Sequence, residues 1–309
     1  MRLRDVGEFG LIGRIARAAG PARGDVVLGI GDDAALLRLR PGEQVVVTTD
    51  ASVEGVHFRW DRQSARHVGR FAFAACVSDL AAMGARPLGF TAALAAPADL
   101  PLAHADGITR GLLDGAKRHG CPLIGGNVTR ARETSLTLTA LGAVRPGAVL
   151  TRRGTRAGDR VLVTGVLGAS ALARARAEAR RTPLSRVPEP RLRAGRLLAR
   201  TRGVVACIDV SDGLTADLAH LLPRGLRCEI PSERLPLARG FRAACGALGL
   251  DWEALVRAGG EDYELLFTLR PGGPGAAQLA RRLGVPVTEL GRVARGPSRT
   301  PRQAGFRHF

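Results

Sequence analysis

Four short runs of apolar or β-branched residues, 44–49, 90–95, 136–144 and 160–164, are each bounded by Gly, Pro or Asp and read as strands. Between and after them lie stretches with helical spacing at 65–83, 103–119, 169–179, 190–200, 214–222 and 275–283. Strands interleaved with helices restrict the fold to an α/β or α+β class. The segment 145–159 sets Pro146, Gly147, Gly154 and Gly158 among arginines and is the expected boundary. It divides the chain into an amino-terminal domain, 1–146, and a carboxy-terminal α/β domain, 147–309. A second loose stretch, 180–190, carries three prolines and reads as an exposed loop. No tandem repeat is apparent.

With 309 residues, 45% of them hydrophobic, the chain can bury a full core in two domains. No apolar run approaches the ~20 residues that span a bilayer. Asp5 and Glu8 interrupt the first residues before a signal-peptide core could form, so a cytoplasmic location and no membrane partner are expected. The five cysteines are widely spaced, form no CxxC pair and read as buried free thiols. A net charge of +18 invites nucleic acid as a partner. The arginines are nevertheless spread along the whole chain, aromatic residues are only 4%, and Lys117 is the sole lysine. That pattern reads as compositional bias on a solvated surface, and no nucleic-acid partner is expected. The positive field can still draw anionic substrates.

Against this basic background the acids recur in short small-residue frames: GIGDD (29–33), TTD (48–50), VSD (77–79), DVSDG (209–213) and GGED (259–262). Small neighbours let backbone approach a ligand, and carboxylates beside hydroxyls are ligands for hard cations. The frames therefore point to magnesium and polyphosphate chemistry. GIGDD suits a turn between extended segments, and a plain turn would use the same residues. VVVTTD ends a strand in Thr48, Thr49 and Asp50, with His57 close behind, either structural or a contact for a substrate phosphate. In VSDLAAMGARP, Ser78 or Asp79 reads as the cap of a short helical turn closed by Gly84. IGGNVTR, with Gly125, Gly126 and Asn127, offers backbone N–H groups to phosphate oxygens, or a hairpin turn. DVSDGLTADL reads as strand end, turn and helix, with Asp209, Ser211 and Asp212 at the helix amino terminus. In GGEDYELLF, Glu261 and Asp262 precede a strand and can face a cationic or amine-bearing substrate. Singly each acid reads as a cap or turn; five such frames in one chain read as a site.

With Lys117 in GAKRHG as the only lysine, there is no GxxxxGK[ST] loop and no kinase-type strand lysine. Metals and arginines must then neutralise phosphate charge. GxSxG and HExxH are also missing.

The ordered set GEFGLI, GIGDDAALL, TTDASVEGVHF, VSDLAAMGARP, IGGNVTR, TRRGTRAGD, DVSDGLTADL, GGEDYELLF and GFRHF resembles the thiamine-monophosphate kinase family, within the aminoimidazole-ribonucleotide-synthetase-like superfamily. The resemblance runs from Gly7 to Phe309. It implies an amino-terminal sheet domain that pairs with a second subunit in a homodimer, and a carboxy-terminal α/β domain. The implied reaction is transfer of the ATP γ-phosphoryl group to thiamine monophosphate, assisted by several Mg2+ ions. By resemblance Asp33, Thr48, Thr49, Asp50, Asp79, Asn127, Asp209 and Asp212 are magnesium ligands. Gly126, Asn127, Arg152 and Ser211 are nucleotide contacts, and His57, Glu261 and Phe306 meet thiamine monophosphate. Such an acceptor, a phosphate monoester with a second pKa of about 6, needs no strong general base. Phe306 against a cationic ring would contribute roughly 0.5 to 2 kcal/mol.

Four positions depart from the family's pattern: Asn127 where Asp is common, Cys76 before VSD, Val187 in RVPEPR and Arg307 in GFRHF. The resemblance assigns magnesium to Asp33 and no role to its neighbour Asp32. Alternatives are a paralogue that only binds nucleotide or thiamine phosphate, and a sibling ATP-dependent enzyme. A selenophosphate synthetase would carry an early Cys or selenocysteine and a Lys, and a hydrogenase-maturation homologue would end in Cys; this chain does neither.

Overall fold

The computed structural model describes residues 1–297, which divide into two compact units. Unit 1 comprises Met1–Leu80, Arg86–Pro146 and Arg181–Val187, and unit 2 comprises Ala81–Ala85, Gly147–Arg180 and the chain from Pro188 onward. No helix of the described residues is long and apolar enough to cross a membrane.

Unit 1 contains α1 (Leu3–Ala19), β1 (Val26–Leu28), β2 (Leu36–Leu37), β3 (Gln44–Val53), α2 (Ala65–Ala82), β4 (Arg86–Ala96), α3 (Leu102–His119), β5 (Leu123–Arg130) and β6 (Ser135–Val144). Four of its strands form one sheet in the order β3-β6-β4-β5, with β4 and β5 parallel and the other neighbours antiparallel. Side chains alternate across such a sheet. One face carries Phe90, Leu136 and Leu138 against α2, where the Phe73 and Phe90 rings meet edge-to-face at 5.3 Å. Helices α2 and α3 touch along glycines. A Cβ on Gly69 would stand 2.2 Å from the Ile108 carbonyl oxygen, and one on Gly111 2.2 Å from that of Arg66. The stretch 181–187 belongs to unit 1, where the Leu184 N–H donates to the Arg62 carbonyl.

Unit 2 contains β7 (Arg160–Thr164), α4 (Ala169–Arg180), α5 (Leu192–Leu198), β8 (Val204–Asp209), α6 (Leu214–Leu221), β9 (Leu226–Cys228), α7 (Phe241–Gly246), α8 (Trp252–Ala258), β10 (Leu265–Leu269), α9 (Ala276–Leu283) and β11 (Val287–Arg295). Its sheet has the order β8-β10-β7-β11-β9, with every neighbouring pair antiparallel. All five residues of β7 are buried, with the apolar centre Val161–Leu162–Val163 flanked by Arg160, which pairs with Glu289, and Thr164, which donates to Glu264. Val161, Val163, Ile208 and Leu266 build the core with Leu214 and Leu218 of α6. All five cysteines are free and buried, as expected.

Two sequence expectations are corrected. IGGNVTR is no turn: its residues belong to β5, held in the sheet by parallel pairing with β4. Ser78 and Asp79 cap nothing, because they sit in the last turns of α2. Ser78 is fully buried there. Helix α1 was not anticipated: it bends at Gly7, where φ is 72°, and its glycines blur the helical spacing. Phe306 and Arg307 lie outside the described residues.

Candidate functional site

In unit 1 VVVTTD does not end a strand as expected: pairing with β6 carries β3 on to Val53, so Thr48, Thr49 and Asp50 lie within the strand and split their donors between two faces. Cross-strand partners share a face, and the register pairs Thr48 with Ala140 and Asp50 with Leu138. Thr48 and Asp50 therefore leave the face covered by α2. There the Thr48 hydroxyl donates to Asp79 Oδ2 at 2.5 Å. Burial, then the nearby charges of Asp50 and Asp79, push the Cys76 thiol up to about 12, so Cys76 is an inert neutral neighbour of both acids. Thr49 leaves the opposite face, and its hydroxyl donates to the Leu138 carbonyl at 3.0 Å. Asn127 shares that face through the row Asn127, Ala93, Thr137 and Ala51.

On this second face Asp32, Asp33, Gly126 and Asn127 line a cavity of about 790 Å³ whose far wall includes Ile12 and Leu112. A Cβ on Gly126 would stand 2.0 Å from the Ala92 carbonyl oxygen, so only glycine fits beside β4 at this point. The two GIGDD acids differ in employment. Asp32 Oδ1 accepts the Asp33 N–H at 2.8 Å, which turns Asp32 back onto its own loop. His57 accepts the Val53 N–H on Nδ1 at 3.1 Å. In the neutral ring that places the proton on Nε2, which makes this nitrogen a donor suited to a phosphate oxygen.

In unit 2, DVSDG and GGED form one hydrogen-bonded structure. Asp209 ends β8 and is buried, while Ser211 and Asp212 sit half-buried in the turn before α6. The Glu261 N–H donates to the Ser211 carbonyl at 2.7 Å, and the Tyr263 N–H to the Val210 carbonyl at 2.9 Å. Glu261 and Tyr263 hold φ at 57° and 50°, in the left-handed region. Such backbone costs roughly 1 to 3 kcal/mol per residue and persists where its surroundings over-determine it. Asp262 does much of this, because its two carboxylate oxygens accept the Gly168 and Ser170 N–H groups at 2.6 and 3.0 Å. Next in line, Glu264 is buried and receives Arg191 in a two-pronged pair at 2.7 and 2.5 Å, along with the Thr164 hydroxyl at 2.6 Å.

Asp217 was not singled out from sequence, although it stands five residues after Asp212 on the helix the motif opens. Its Oδ2 accepts the Asp212 and Gly213 N–H groups, both at 3.1 Å, and so shapes the turn. Burial, then the charges of Asp209 and Asp212, push its carboxyl up to about 8. Asp262 was expected to face substrate; in the structure it binds the start of α4. Arg152 is exposed and lines a cavity of about 410 Å³ with Arg153 and His220.

Among the described residues no group of three or more His, Cys, Asp or Glu side chains is assembled that could hold a metal ion. Magnesium, however, commonly keeps several waters and takes only one or two carboxylates beside substrate phosphates. The donors here are all oxygens. Asp209 and Asp212 lie close enough to Asp217 that their charges, after burial, help raise its carboxyl, so three carboxylates are gathered at this turn. The donor chemistry fits magnesium.

Comparison with known proteins bears on both units. The family described as AIR synthase related protein, N-terminal domain, matches residues 31–144. The thiamine-monophosphate kinase of Mycobacterium tuberculosis is 39% identical over 275 residues, covering 85% of this chain and 81% of that protein. The crystal structure of thiamine-monophosphate kinase from Stenotrophomonas maltophilia K279a superposes with a TM-score of 0.81 at 36% identity, over 96% of this chain and 97% of the other. A structure described as AaThiL complexed with AMPPCP and TMP gives a TM-score of 0.76 at 29% identity, covering 100% and 99% of the two chains. The fold is thus the two-domain mixed α/β architecture expected from the resemblance.

Proposed function

The chain belongs to the thiamine-monophosphate kinase family, and we propose that it transfers the γ-phosphoryl group of ATP to thiamine monophosphate, giving thiamine diphosphate and ADP. The observation that carries this reading is likeness to such kinases along almost the whole chain. A relative of the same fold was solved with AMPPCP and TMP, which supports ATP and thiamine monophosphate as the substrate pair.

The acceptor oxygen belongs to a phosphate monoester that is largely a dianion near neutral pH, so no side chain has to deprotonate it. The work left to the protein is holding two anions in line and offsetting their repulsion. In unit 1, Asp33, Thr48, Thr49, Asp50, Asp79 and Asn127 would hold magnesium, Asn127 through its neutral carbonyl. In unit 2, Asp209 and Asp212 would do so. When bound, magnesium supplies positive charge against the phosphate oxygens. Gly126 and Asn127, Arg152 and Ser211 bind the nucleotide. His57 donates from Nε2 to the phosphate of thiamine monophosphate, and Glu261 and Phe306 receive its thiamine portion. Residues 1–146 serve ATP, magnesium and subunit pairing, and 147–309 form the carboxy-terminal domain. The working form is a cytoplasmic homodimer that uses neither nucleic acid nor membrane.

The test incubates purified protein with Mg-ATP and thiamine monophosphate and measures thiamine diphosphate. Wild type forms it; Asp33→Asn and Asp212→Asn lose at least about 100-fold in kcat, and Asp32→Asn stays within about tenfold. No product from wild type, or an unimpaired Asp212→Asn, contradicts the reading.

A further inference from the structure

Glu261 has a partner in the fold that the motifs do not announce. Arg174, on α4, is ion-paired with Glu261 through Nη1 and Oε2, and its Nη2 donates to the Gly259 carbonyl at 2.6 Å. The half-buried guanidinium thus meets the GGED turn at two places, by a hydrogen bond at the Gly259 carbonyl and an ion pair at the Glu261 carboxylate. The same helix is tied to the turn at its start, where Asp262 accepts the Gly168 and Ser170 N–H groups. A left-handed backbone at Glu261 aims the side chain, the Ser211 carbonyl holds the main chain, and Arg174 removes the rotational freedom that remains to the carboxylate.

We propose that Arg174 is a positioning residue for thiamine monophosphate, acting through Glu261: it pins one carboxylate oxygen and leaves the other presented to the thiamine portion of the substrate. This rests on the reading of Glu261 as a substrate contact. The planar fork of arginine is the part that matters, because it reaches the Gly259 carbonyl and the carboxylate together. A lysine carries the charge on a single point and can serve only one of them well. The effect belongs to binding of one substrate. It is expected to leave ATP and the transfer step alone, because the contacts of Arg174 are to Glu261 and the Gly259 carbonyl.

Steady-state kinetics on the full-length protein test this with Arg174→Met, Arg174→Lys, Glu261→Gln and the double variant Arg174→Met/Glu261→Gln. Arg174→Met is expected to raise KM for thiamine monophosphate about tenfold, with kcat and KM for ATP held within about twofold. Arg174→Lys falls between it and wild type. The double variant is no worse than Glu261→Gln alone, because the arginine acts through the carboxylate. If Glu261→Gln raises KM and Arg174→Met leaves it unchanged, or if the two effects multiply in the double variant, the role of Arg174 is overturned. If Glu261→Gln itself leaves KM unchanged, Glu261 is not a substrate contact and the proposal falls with that reading. An equal loss in kcat and in both KM values for Arg174→Met assigns it a merely structural part and also overturns the proposal. Thermal unfolding of each variant identifies that last case.

Discussion

Asp32 and Asp33 are neighbours with the same chemistry, yet Asp32 Oδ1 accepts the Asp33 N–H and is turned back onto its own loop. Nothing in GIGDD distinguishes them, because the difference lies in one loop hydrogen bond. The same holds for Thr48 and Thr49, adjacent hydroxyls that leave opposite faces of the sheet and serve Asp79 and the Leu138 carbonyl respectively. His67 offers a residue-scale test away from the site. It is buried in α2 and stacked on Phe71 at 6.0 Å, and burial, then the charge of Arg70, lowers its pKa to about 4. The unfolded chain protonates this histidine near 6.5, so between those values the unfolded state binds more protons than the folded one. Stability from this residue is complete above about pH 6.5 and declines as pH falls toward 4, by up to about 3 kcal/mol. Denaturant unfolding of wild type and His67→Gln should show the difference between them changing by that order across the window. A difference independent of pH contradicts the assignment.

At the scale of elements, the crossing of α2 and α3 depends on missing side chains. Gly111→Ala would drive a Cβ into the Arg66 carbonyl oxygen at 2.2 Å and the Arg70 nitrogen at 2.8 Å, both backbone atoms that cannot step aside. We expect a loss of about 1 to 3 kcal/mol in urea unfolding, against the ~1 kcal/mol that alanine gains in an unconstrained helix. Gly13→Ala in α1 is the contrast, since its Cβ meets only Arg17 Nη1 at 3.8 Å and should stabilise slightly. If both substitutions behave alike, the crossing is not tight. Elements with clean periodicity were legible in sequence: α2 and α3 begin and end within a residue of the expected stretches, and β7 matches at both ends. Helix α1 and strand β5 were not legible. Gly125 and Gly126 resemble turn chemistry, and only pairing with β4 makes them strand. Ser78 and Asp79 look like caps because the residues that cap helices also occur inside them when a neighbouring strand supplies a use, here Thr48.

At the scale of the whole molecule, β3 is the edge of its sheet and presents Val45 and Val47, 47% and 61% exposed, on the face that α2 does not cover. A long unpaired edge with apolar neighbours is a template for another chain, and a second copy of this one is the occupant we expect. Light scattering should give twice the 32.5 kDa chain mass, and Val45→Lys with Val47→Lys should shift it toward one chain. A monomeric wild type contradicts the pairing. Sequence by itself determined the strand and helix alternation, the acidic frames and the exclusion of a P-loop, because each is written in residues a few positions apart. Tertiary structure alone decided which face each donor leaves, and how Glu261 is held by the Ser211 carbonyl and by Arg174. It also decided that Asp262 serves α4, across 94 residues of sequence, instead of a ligand. Those outcomes depend on sheet register and on partners brought near only when the chain packs, and no local spacing encodes either.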